Sequence, residues 1–482
     1  MARLLLSRER AVPIGAGVSD GVRWILADRV ARALSSVGAQ TAAGAGERVV
    51  RLAVPVGTVN AFRWLREQPH YPRLYWSGRD GGVGVAAVGV ADVQEGDACE
   101  SADALRKRVA SLLVSDGSGA RYYGGLRFDL SREPDEEWAA FGSYRFVLPR
   151  FELHGGEGGA TLVCNLVLPR DAERSEEILE GVEGLAFPRE TPYGVFDAAL
   201  AAPVSRTDGP DLWGWRANVE RALRLFSEGE LGKVVLARRA ELEFASDLDP
   251  ALLAEGLEVA TPDCFHFYME PDEGVAFLGA SPERLFRREG RVVQSEAVAG
   301  TRPRGASSTD DDGLRDDLLH SEKDLSEHAY VRFGIREALA PLFVELEIEG
   351  GVSDMKLARG RHLRSMVRGR LREGVTDAEL LDALHPTPAV GGYPREEALP
   401  EIRALEPFDR GHYAGPVGWI GADASEFAVG IRSGLVRGRT LSLFSGAGIV
   451  AGSVPDEEWA EIEQKIGDFT RMFGLEPGQA TG

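Results

Sequence analysis

Two pairs of carboxylates lie at helical spacing in the second half of the chain. Asp324 and Glu327 are three residues apart in SEKDLSEH, and Glu458 and Glu461 are three apart in PDEEWAEIEQKIG. Residues at i and i+3 share one face of a helix, so each pair can point two carboxylates the same way. Magnesium usually binds one or two carboxylates and keeps waters. The alternative is a solvated helix face, with Glu461 and Lys465 forming an ordinary salt bridge.

Two further residues have the chemistry of an acid and a base. Lys233 begins the apolar segment KVVLAR, where a lysine is costly unless it is paired or uncharged. Glu283 follows Ser281 and Pro282 at the end of a predicted strand. The alternatives are a lysine at a sheet edge and a carboxylate in a turn.

Two segments have the composition of ligand-binding loops. LFSGAG at 443–448 places small residues after a strand, where backbone N–H groups can reach an anion or simply form a tight turn. HPTPAVGG at 385–392 joins a histidine to a loop stiffened by prolines. Common cofactor motifs are missing, since GVGVAAVG at 82–89 lacks the GxGxxG spacing and no P-loop, HExxH or GxSxG sequence occurs.

The composition is that of a globular protein. The chain has 482 residues, 44% of them hydrophobic, and its 55 Lys and Arg against 76 Asp and Glu give a net charge of −21. This acidity argues against a nucleic-acid partner. Cys99, Cys164 and Cys264 are too few and too scattered for a disulfide framework and fit a reducing compartment. The longest apolar stretch, at 83–91, is too short to span a membrane, so we expect no membrane partner and a cytoplasmic location.

The pattern of apolar residues predicts a mixture of strands and helices with no fixed repeat, which indicates an α+β or α/β assembly. A loop with a solvated acidic run, Asp310 to Asp312, is predicted at 302–317. Helices are predicted at 18–37, 100–114, 211–229, 249–258, 315–343, 376–384 and 456–473. Strands are predicted at 48–56, 73–78, 82–92, 122–130, 143–153, 159–169, 233–244, 265–270, 275–281, 291–300, 427–437 and 440–444.

Nine segments occurring in order across 232–467 are more specific together than any one alone. They are GKVVLAR, LGASPERLFRREG, AVAGTRPRG, SEKDLSEH, HPTPAVGGYPREEA, GHYAGPVGW, FAVGIRS, FSGAGIV and PDEEWAEIEQKIG. This series resembles the chorismate-utilising enzymes, the family of isochorismate synthase, anthranilate synthase component I, aminodeoxychorismate synthase and salicylate synthase. FRWLREQP, YWSGRDGG and YYGGLRFD in the N-terminal half resemble the menaquinone-type isochorismate synthases.

The resemblance implies an α+β fold of two stacked, largely antiparallel β-sheets wrapped by helices, with the active site in a deep cleft. We expect residues 1–208 to form the N-terminal part of this fold. Residues 209–474 are expected to form the chorismate-binding catalytic region, and residues 475–482 a tail.

A few positions distinguish the members of the family. Water-adding members carry a lysine in the KVVLAR strand, here Lys233, where the anthranilate enzymes carry a glutamine. Aminodeoxychorismate synthases have a nucleophilic lysine where this chain has Ala299. The anthranilate synthases' Asn-Asp-Leu motif is replaced by YVRFGIREAL, and HPTPAV is intact, unlike in salicylate synthases. The resemblance therefore implies an isochorismate synthase, an isomerase that moves a hydroxyl group from C4 of chorismate to C2. A salicylate synthase, which also eliminates pyruvate, and a non-catalytic chorismate-binding paralogue remain as alternatives.

The resemblance also implies roles for single residues. Lys233 is the general base that activates water for attack at C2, and Glu283 is the general acid that protonates the departing C4 hydroxyl. Glu327 and Glu461 bind Mg²⁺, with Asp324 and Glu458 behind them holding waters on the metal.

The remaining implied site residues bind the substrate. Arg432 pairs with the enolpyruvyl carboxylate, and Lys465 lies near the ring carboxylate. The other expected contacts are Gly300, Thr301, His385, Tyr413, Gly446, Ala447 and Gly448. We expect chorismate as the small-molecule partner, no amidotransferase subunit and a monomer or homodimer. The use of the product is left open between menaquinone, a siderophore and salicylate.

Overall fold

The structure is a computed structural model, in which the chain forms a large antiparallel β-sheet with helices packed on it. It describes residues 18–36, 46–81, 84–96, 108–109, 111–113, 119–156, 159–188, 200–229 and 231–476. The expectations for the N-terminus, for most of the predicted helix at 100–114 and for most of the tail at 475–482 lie outside these residues.

Twenty strands lie in the described part of the chain and are numbered here in chain order. They are β1 (Arg48–Pro55), β2 (Arg73–Ser77), β3 (Val85–Gly96), β4 (Arg121–Leu126), β5 (Tyr144–His154), β6 (Thr161–Leu168), β7 (Ser205–Gly209), β8 (Lys233–Glu243), β9 (Phe265–Asp272), β10 (Val275–Ser281), β11 (Arg284–Glu289), β12 (Val292–Pro303), β13 (Phe343–Ile348), β14 (Ser353–Lys356), β15 (Gly360–Leu371), β16 (Gly392–Tyr393), β17 (Pro416–Gly421), β18 (Ala424–Val429), β19 (Ser433–Arg437) and β20 (Thr440–Val450).

Ten α-helices accompany the strands within the same described ranges. They are α1 (Val18–Ser36), α2 (Ala61–Glu67), α3 (Ser175–Glu183), α4 (Leu212–Glu228), α5 (Pro250–Ala260), α6 (Ser308–His320), α7 (Glu322–Leu339), α8 (Asp377–Leu384), α9 (Arg395–Leu405) and α10 (Pro455–Thr470). None of the described helices combines the length and the apolar character that a membrane span requires.

All strand pairs are antiparallel and form one continuous network with two arms that meet at β5. The first arm runs from β5 through β3, β2, β9, β10, β19 and β20 to β8, which also pairs with β7 and β16. The second runs from β5 through β4, β17, β18, β11 and β12 to β15, which also pairs with β13 and β14. The predicted α+β class with largely antiparallel sheets is confirmed, with strand β5 common to both arms.

Strand β8 illustrates why an apolar run becomes a central strand. Helices α4 and α9 pack against it, and β20 and β7 pair along its edges. Its first six residues, Lys233 to Arg238, are all buried. A strand covered on both faces needs a continuous apolar run rather than an alternating pattern, and KVVLA supplies one. Lys233 is therefore inside the protein because its strand is.

The segment 302–343 differs from the prediction of a loop followed by one long helix. Two helices, α6 and α7, meet at Ser321, whose hydroxyl accepts a hydrogen bond from the backbone N–H of Asp324 and so begins α7. A serine hydroxyl in this position satisfies one of the free donors of a helix N-terminus. The acidic run is also not a solvated loop, because Asp311 lies on α6 and pairs with Arg304 and Arg361 at 2.7 Å.

A buried tryptophan joins the N-terminal part of the chain to the first arm and to the loop before β17 of the second. Trp138 is fully buried, and its ring centroid lies 5.4 Å from that of Phe277 on β10 and 5.7 Å from that of Phe444 on β20. Its indole N–H donates to the carbonyl of Asp409, in the loop that leads to β17. Aromatic pairs at these separations contribute beyond their buried area.

We expect Trp138→Ala to lower the free energy of unfolding by about 3–5 kcal/mol, because a large side chain leaves a cavity in a packed core. Denaturant or thermal unfolding measures the loss. Trp213→Ala is the matched control, since this side chain is 76% exposed, and its effect should stay within about 0.5 kcal/mol. Equal losses for the two variants would contradict the core role of Trp138.

Candidate active site

A cleft lies between the two arms of the sheet and two helices. Residues of β8 and β20 from the first arm, β12 and β15 from the second, and helices α7 and α10 line it. The part of the cleft that is open to water-sized groups measures about 80 Å³. A wider entrance adjoins it, where Arg359 and Arg471 join Arg432 and Lys465. Most of the charged side chains predicted to act together thus converge on one cleft, although they are far apart in the sequence.

Lys233 lies directly behind the cleft wall. Its side chain is fully buried, and Nζ is 3.0 Å from Oε1 of Glu327, which lines the cleft. The contact is an ion pair without hydrogen-bond geometry, so Nζ has no hydrogen-bond partner among the described residues. Gly448 on β20 makes room for this pair, because a Cβ there would lie 2.0 Å from Oε1 of Glu327.

Glu283 lies in the turn between β10 and β11 and lines the cleft with only 5% of its surface exposed. Burial raises the pKa of its carboxyl to about 8, and the negative charge of Glu296 adds to this effect. The positive charges of Lys233 and Lys465 oppose it without reversing it. A carboxyl with this pKa is largely protonated at neutral pH and can deliver a proton.

Glu461 projects from α10 into the same cleft. The ammonium of Lys465, one turn further along the helix, is 2.7 Å from its Oε1 and also donates to the carbonyl of Gly446. Burial alone would raise the pKa of Glu461, but the charges of Lys465 and Lys323 outweigh it, and the pKa is lowered. Glu461 is therefore an ionised carboxylate facing the cleft.

The carboxylates predicted to lie behind these two have partners of their own. Asp324 accepts from Arg302 at 2.9 Å, and its side chain lies against Gly300. Glu458 is almost fully buried and is 2.5 Å from Nζ of Lys323. Burial and the neighbouring charge of Glu461 raise the pKa of Glu458. Neither Asp324 nor Glu458 lines the cleft surface, in keeping with an indirect role.

The opposite wall of the cleft is positively charged. Arg432 has a φ of 49°, a left-handed conformation that is costly for a residue with a side chain and is characteristic of functional sites. Its guanidinium is 2.6 Å from Asp468, which holds it toward the cleft. Gly446, Gly448 and Tyr413 line the same region. The side chain of Ala447 is buried, because side chains alternate along β20, and only its backbone is near the cleft.

Gly300 and Thr301 form a bulge in β12. The pairing with β15 shifts register between Ala299 and Thr301, and Gly300 has a φ of +71°, which favours glycine. His362 on β15 lies across from the bulge, with Nδ1 3.0 Å from the carbonyl of Gly300 and 3.2 Å from the hydroxyl of Thr301. All three residues line the cleft.

His362 was missed by the sequence analysis. Since the Gly300 carbonyl can only accept, Nδ1 must carry the proton, which leaves Nε2 as an acceptor. Nε2 is buried and has no partner within the described ranges. Burial lowers the pKa of His362 to about 3, and the charge of Arg432 contributes, so the ring stays neutral. The only sequence signal was a histidine in the apolar alternation RHLRSM, within a segment for which no strand was predicted.

His385 is a predicted substrate contact that is not brought into the cleft. Its Nε2 lies 2.9 Å from the carbonyl of Phe128, and the two rings meet edge to face. Burial lowers the pKa of His385 to about 4. Ala389 and Val390, further along the same loop, reach the cleft instead. The histidine therefore anchors this loop, and apolar side chains form that wall.

Among the described residues no group of three or more His, Cys, Asp or Glu side chains has the arrangement of a complete metal site. The cleft offers two carboxylates, Glu327 and Glu461, each against an ammonium group. Two oxygen donors with the remaining positions left to water and substrate suit a hard cation such as Mg²⁺.

We expect Gly448→Ala to lower turnover of chorismate by about 100-fold or more, because the added Cβ displaces Glu327 from Lys233, and small misplacements in an active site cost this much. Steady-state kinetics measures the effect. Gly313→Ala on α6 is the matched control, since nothing lies within 4 Å of a Cβ there. Full activity of Gly448→Ala would show that the position of Glu327 is unimportant.

Comparison with known proteins identifies relatives over nearly the whole chain. Residues 33–474 match the family described as chorismate binding enzyme. The chain is 36% identical to isochorismate synthase 2, chloroplastic, of Arabidopsis thaliana, covering 88% of this chain and 80% of the relative. It is 31% identical to the isochorismate synthase MenF of Escherichia coli, covering 89% and 95%.

The fold agrees with these relationships. The structure of MenF, the menaquinone-specific isochorismate synthase from Escherichia coli, matches with a TM-score of 0.78 and 29% identity, covering 93% of this chain and 99% of that one. Both the fold class and the enzyme class predicted from the sequence are thereby confirmed. The chain belongs to the chorismate-binding enzyme family and, within it, to the isochorismate synthases.

Proposed function

We propose that this chain converts chorismate to isochorismate by adding water at C2 and releasing the C4 hydroxyl, with Lys233 as general base and Glu283 as general acid. The observation that carries the proposal is the pairing, at one cleft, of a buried lysine with a buried carboxyl whose pKa is about 8. Acid–base catalysis needs a proton acceptor and a proton donor held together in a site of low dielectric.

Glu283 is the proton donor. Its carboxyl is protonated at neutral pH, so it can donate to the C4 oxygen as the C–O bond breaks. The cleft buries the group, and the resulting low dielectric strengthens the hydrogen bond that precedes transfer. In the reverse reaction the same carboxylate accepts the proton from water attacking C4, so both directions depend on it.

Lys233 is the proton acceptor. The absence of a side chain at Gly448 lets Lys233 and Glu327 approach each other there. The buried β8 strand fixes the backbone, and the ion pair with Glu327 fixes the direction of the side chain. As a base, Lys233 must lose its own proton before the water adds, and it returns the transferred proton in the reverse reaction.

Glu327 and Glu461 are the residues that would hold Mg²⁺. Their carboxylate oxygens at the cleft and the small number of protein donors fit this ion. When bound, it supplies Lewis-acid polarisation and fixes the ring carboxylate. Asp324 and Glu458, which pair with Arg302 and Lys323, take supporting positions behind the two ligands.

The substrate is a dianion, whereas the protein has a net charge of −21. The cleft must therefore supply positive charge locally. Arg432 is in position to pair with the enolpyruvyl carboxylate, and Gly446, with no side chain, lets that group approach β20. Lys465 offers its ammonium to the ring carboxylate, close to Thr301.

His362 adds a contact that was not predicted. Its neutral ring donates through Nδ1 to the bulge at Gly300 and leaves the buried acceptor Nε2 without a partner among the described residues. We assign it to receive a hydrogen bond from a hydroxyl or a water at the ring-carboxylate end. His385, in contrast, has no direct part in substrate binding in this proposal.

A product analysis tests the function. The purified chain is incubated with chorismate and Mg²⁺, and the products are separated by chromatography. Isochorismate as the sole product is expected. Salicylate and pyruvate in equal amounts would instead establish the salicylate synthase alternative, and recovery of unchanged chorismate would establish a non-catalytic paralogue.

We expect Lys233→Gln to lower kcat by about 10²–10⁴, the usual contribution of one general base, because an amide cannot accept the proton of water. Product formation in a saturating chorismate assay measures this. Lys356→Gln serves as the control because this lysine is 58% exposed and lies outside the cleft. Unchanged turnover in Lys233→Gln would mean that another group activates the water.

We expect Glu327→Gln or Glu461→Gln to weaken Mg²⁺ binding by about tenfold or more, since each change removes one anionic oxygen ligand. Isothermal titration with Mg²⁺ alone measures this without reference to turnover. Glu337→Gln, an exposed position on the same helix as Glu327, is the control and should bind as the unmodified chain does. Equal affinity in all variants would place the metal elsewhere.

A further inference from the structure

The backbone on both sides of Glu283 is held by a single ion pair. Arg79 donates to the carbonyl of Pro282, the residue before Glu283. Arg79 also donates to both carboxylate oxygens of Glu296, at 2.7 and 3.0 Å. Glu296 in turn accepts from the backbone N–H of Arg284, the residue after Glu283, at 2.9 Å.

The ion pair between Arg79 and Glu296 is buried in the protein interior. The side chain of Glu296 is fully buried and that of Arg79 is 10% exposed. Burying two charges is costly unless the geometry is good and the remaining polar atoms are satisfied. Here the bidentate contact satisfies both carboxylate oxygens, and the fork of Arg79 has a further acceptor in the Pro282 carbonyl. The buried pair lies beside the turn that carries Glu283.

We propose that the buried pair of Arg79 and Glu296 is a positioning device for Glu283, a proposal that rests on the proposed role of Glu283 as general acid. The two contacts grip the peptide units before and after Glu283 and thereby fix the direction in which its side chain leaves the backbone. Arg79 follows β2, in the N-terminal part of the chain, while Glu283 lies 204 residues later in the sequence. The N-terminal part therefore acts on the reacting group through Arg79.

The pair also acts through charge. After burial, Glu296 is the largest cause of the raised pKa of Glu283, whereas Lys233, Lys465 and Arg79 lower it. Glu296 comes from β12, Lys233 from β8 and Lys465 from α10. The other charged or titratable groups that line the same cleft are Glu327, Glu461, Arg432, Tyr413 and the neutral His362.

The charge of Glu296 raises the pKa of Glu283, so its removal lowers that pKa. Glu283 can donate a proton only below its pKa. Glu296→Gln removes a negative charge and also takes away the nearest anionic partner of Arg79, which keeps Asp80 at 3.8 Å. Both changes favour the ionised form of Glu283. The pKa of Glu283 therefore falls, by about one unit or more for a charge at this range. Arg79→Lys keeps the positive charge but cannot make the bidentate contact or reach Pro282 at the same time.

The test measures the protonation of Glu283 directly. Infrared difference spectra of the full chain are recorded against pH, and the carboxyl band of Glu283 is the one that disappears in Glu283→Gln. A midpoint near pH 8 is expected for the unmodified chain. In Glu296→Gln we expect a shift of about one pH unit or more to lower pH. In Arg79→Lys we expect an unshifted midpoint with kcat about tenfold lower, because the acid is misplaced rather than ionised.

A matched control separates this effect from a general loss of stability. Glu270→Gln removes another buried carboxylate that pairs with an arginine of the N-terminal part, Arg73, at 3.3 Å, away from Glu283. It should leave the midpoint unchanged whatever its effect on the melting temperature. The same midpoint in Glu296→Gln as in Glu270→Gln, together with normal kcat in Arg79→Lys, would overturn the positioning role.

Failure of the positioning role and failure of the proposed function give different results. Full turnover by Glu283→Gln would remove Glu283 as the general acid. Loss of turnover in Glu283→Gln, combined with an unmoved midpoint in Glu296→Gln and normal kcat in Arg79→Lys, would leave the acid in place and reject its positioning by this pair.

Discussion

Charges that are taken out of water must find partners, and this requirement organises the centre of the molecule. Lys233 is fully buried and rests on Glu327, so β8 and α7 must keep a fixed distance. Arg432 is held by Asp468, which ties the start of β19 to α10. Each such pair joins elements from different parts of the chain. Removing one charge from the cleft therefore leaves its partner unpaired and loosens the strand or helix that carries that partner.

Glu283 is the exception, and its difference is chemical. Among the described residues its carboxyl has no hydrogen-bond donor, and burial keeps it in the acid form. The surrounding protein supplies ionised carboxylates where a cation is needed and a neutral carboxyl where a proton is needed. Two groups of the same type thus do different work because one has an ammonium against it and the other does not.

Strong local patterns in the sequence predicted some elements closely, whereas others, such as α3, α9 and β17, were not predicted. Strand β8 was predicted at 233–244 and is found at Lys233–Glu243, and α10 was predicted at 456–473 and is found at Pro455–Thr470. Both have a strong apolar run or stripe. The break at Ser321 was missed because a serine that caps a helix cannot be told from a serine inside a polar helix by its sequence neighbours. Strands β13 and β15 were missed because their alternation is carried by Glu and Arg side chains rather than by apolar ones.

The site was predictable where its residues lie within recognisable segments, and not where they depend on pairing between strands. Lys233, Glu283, Glu327 and Glu461 converge on one cleft as expected, although their catalytic roles remain proposals. His362 reaches the cleft only because β15 pairs with β12 opposite Thr301. His385 faces away because Phe128, 257 residues earlier, offers a carbonyl to its ring. Neither the position of His362 nor that of His385 can be predicted from the residues near it in the sequence.

The shared strand β5 has a consequence for how the molecule is made. It pairs with β3 along one edge and with β4 and β6 along the other, so neither arm is complete without it. Strand β4 in turn pairs with β17, which joins residues 121–126 to residues 416–421. Contacts between such distant residues form slowly, because a long loop must close before they contribute. During synthesis the ribosome releases β4 and β5 long before β17 exists. The edge of β4 that β17 later covers is open to wrong pairing with other chains throughout that interval.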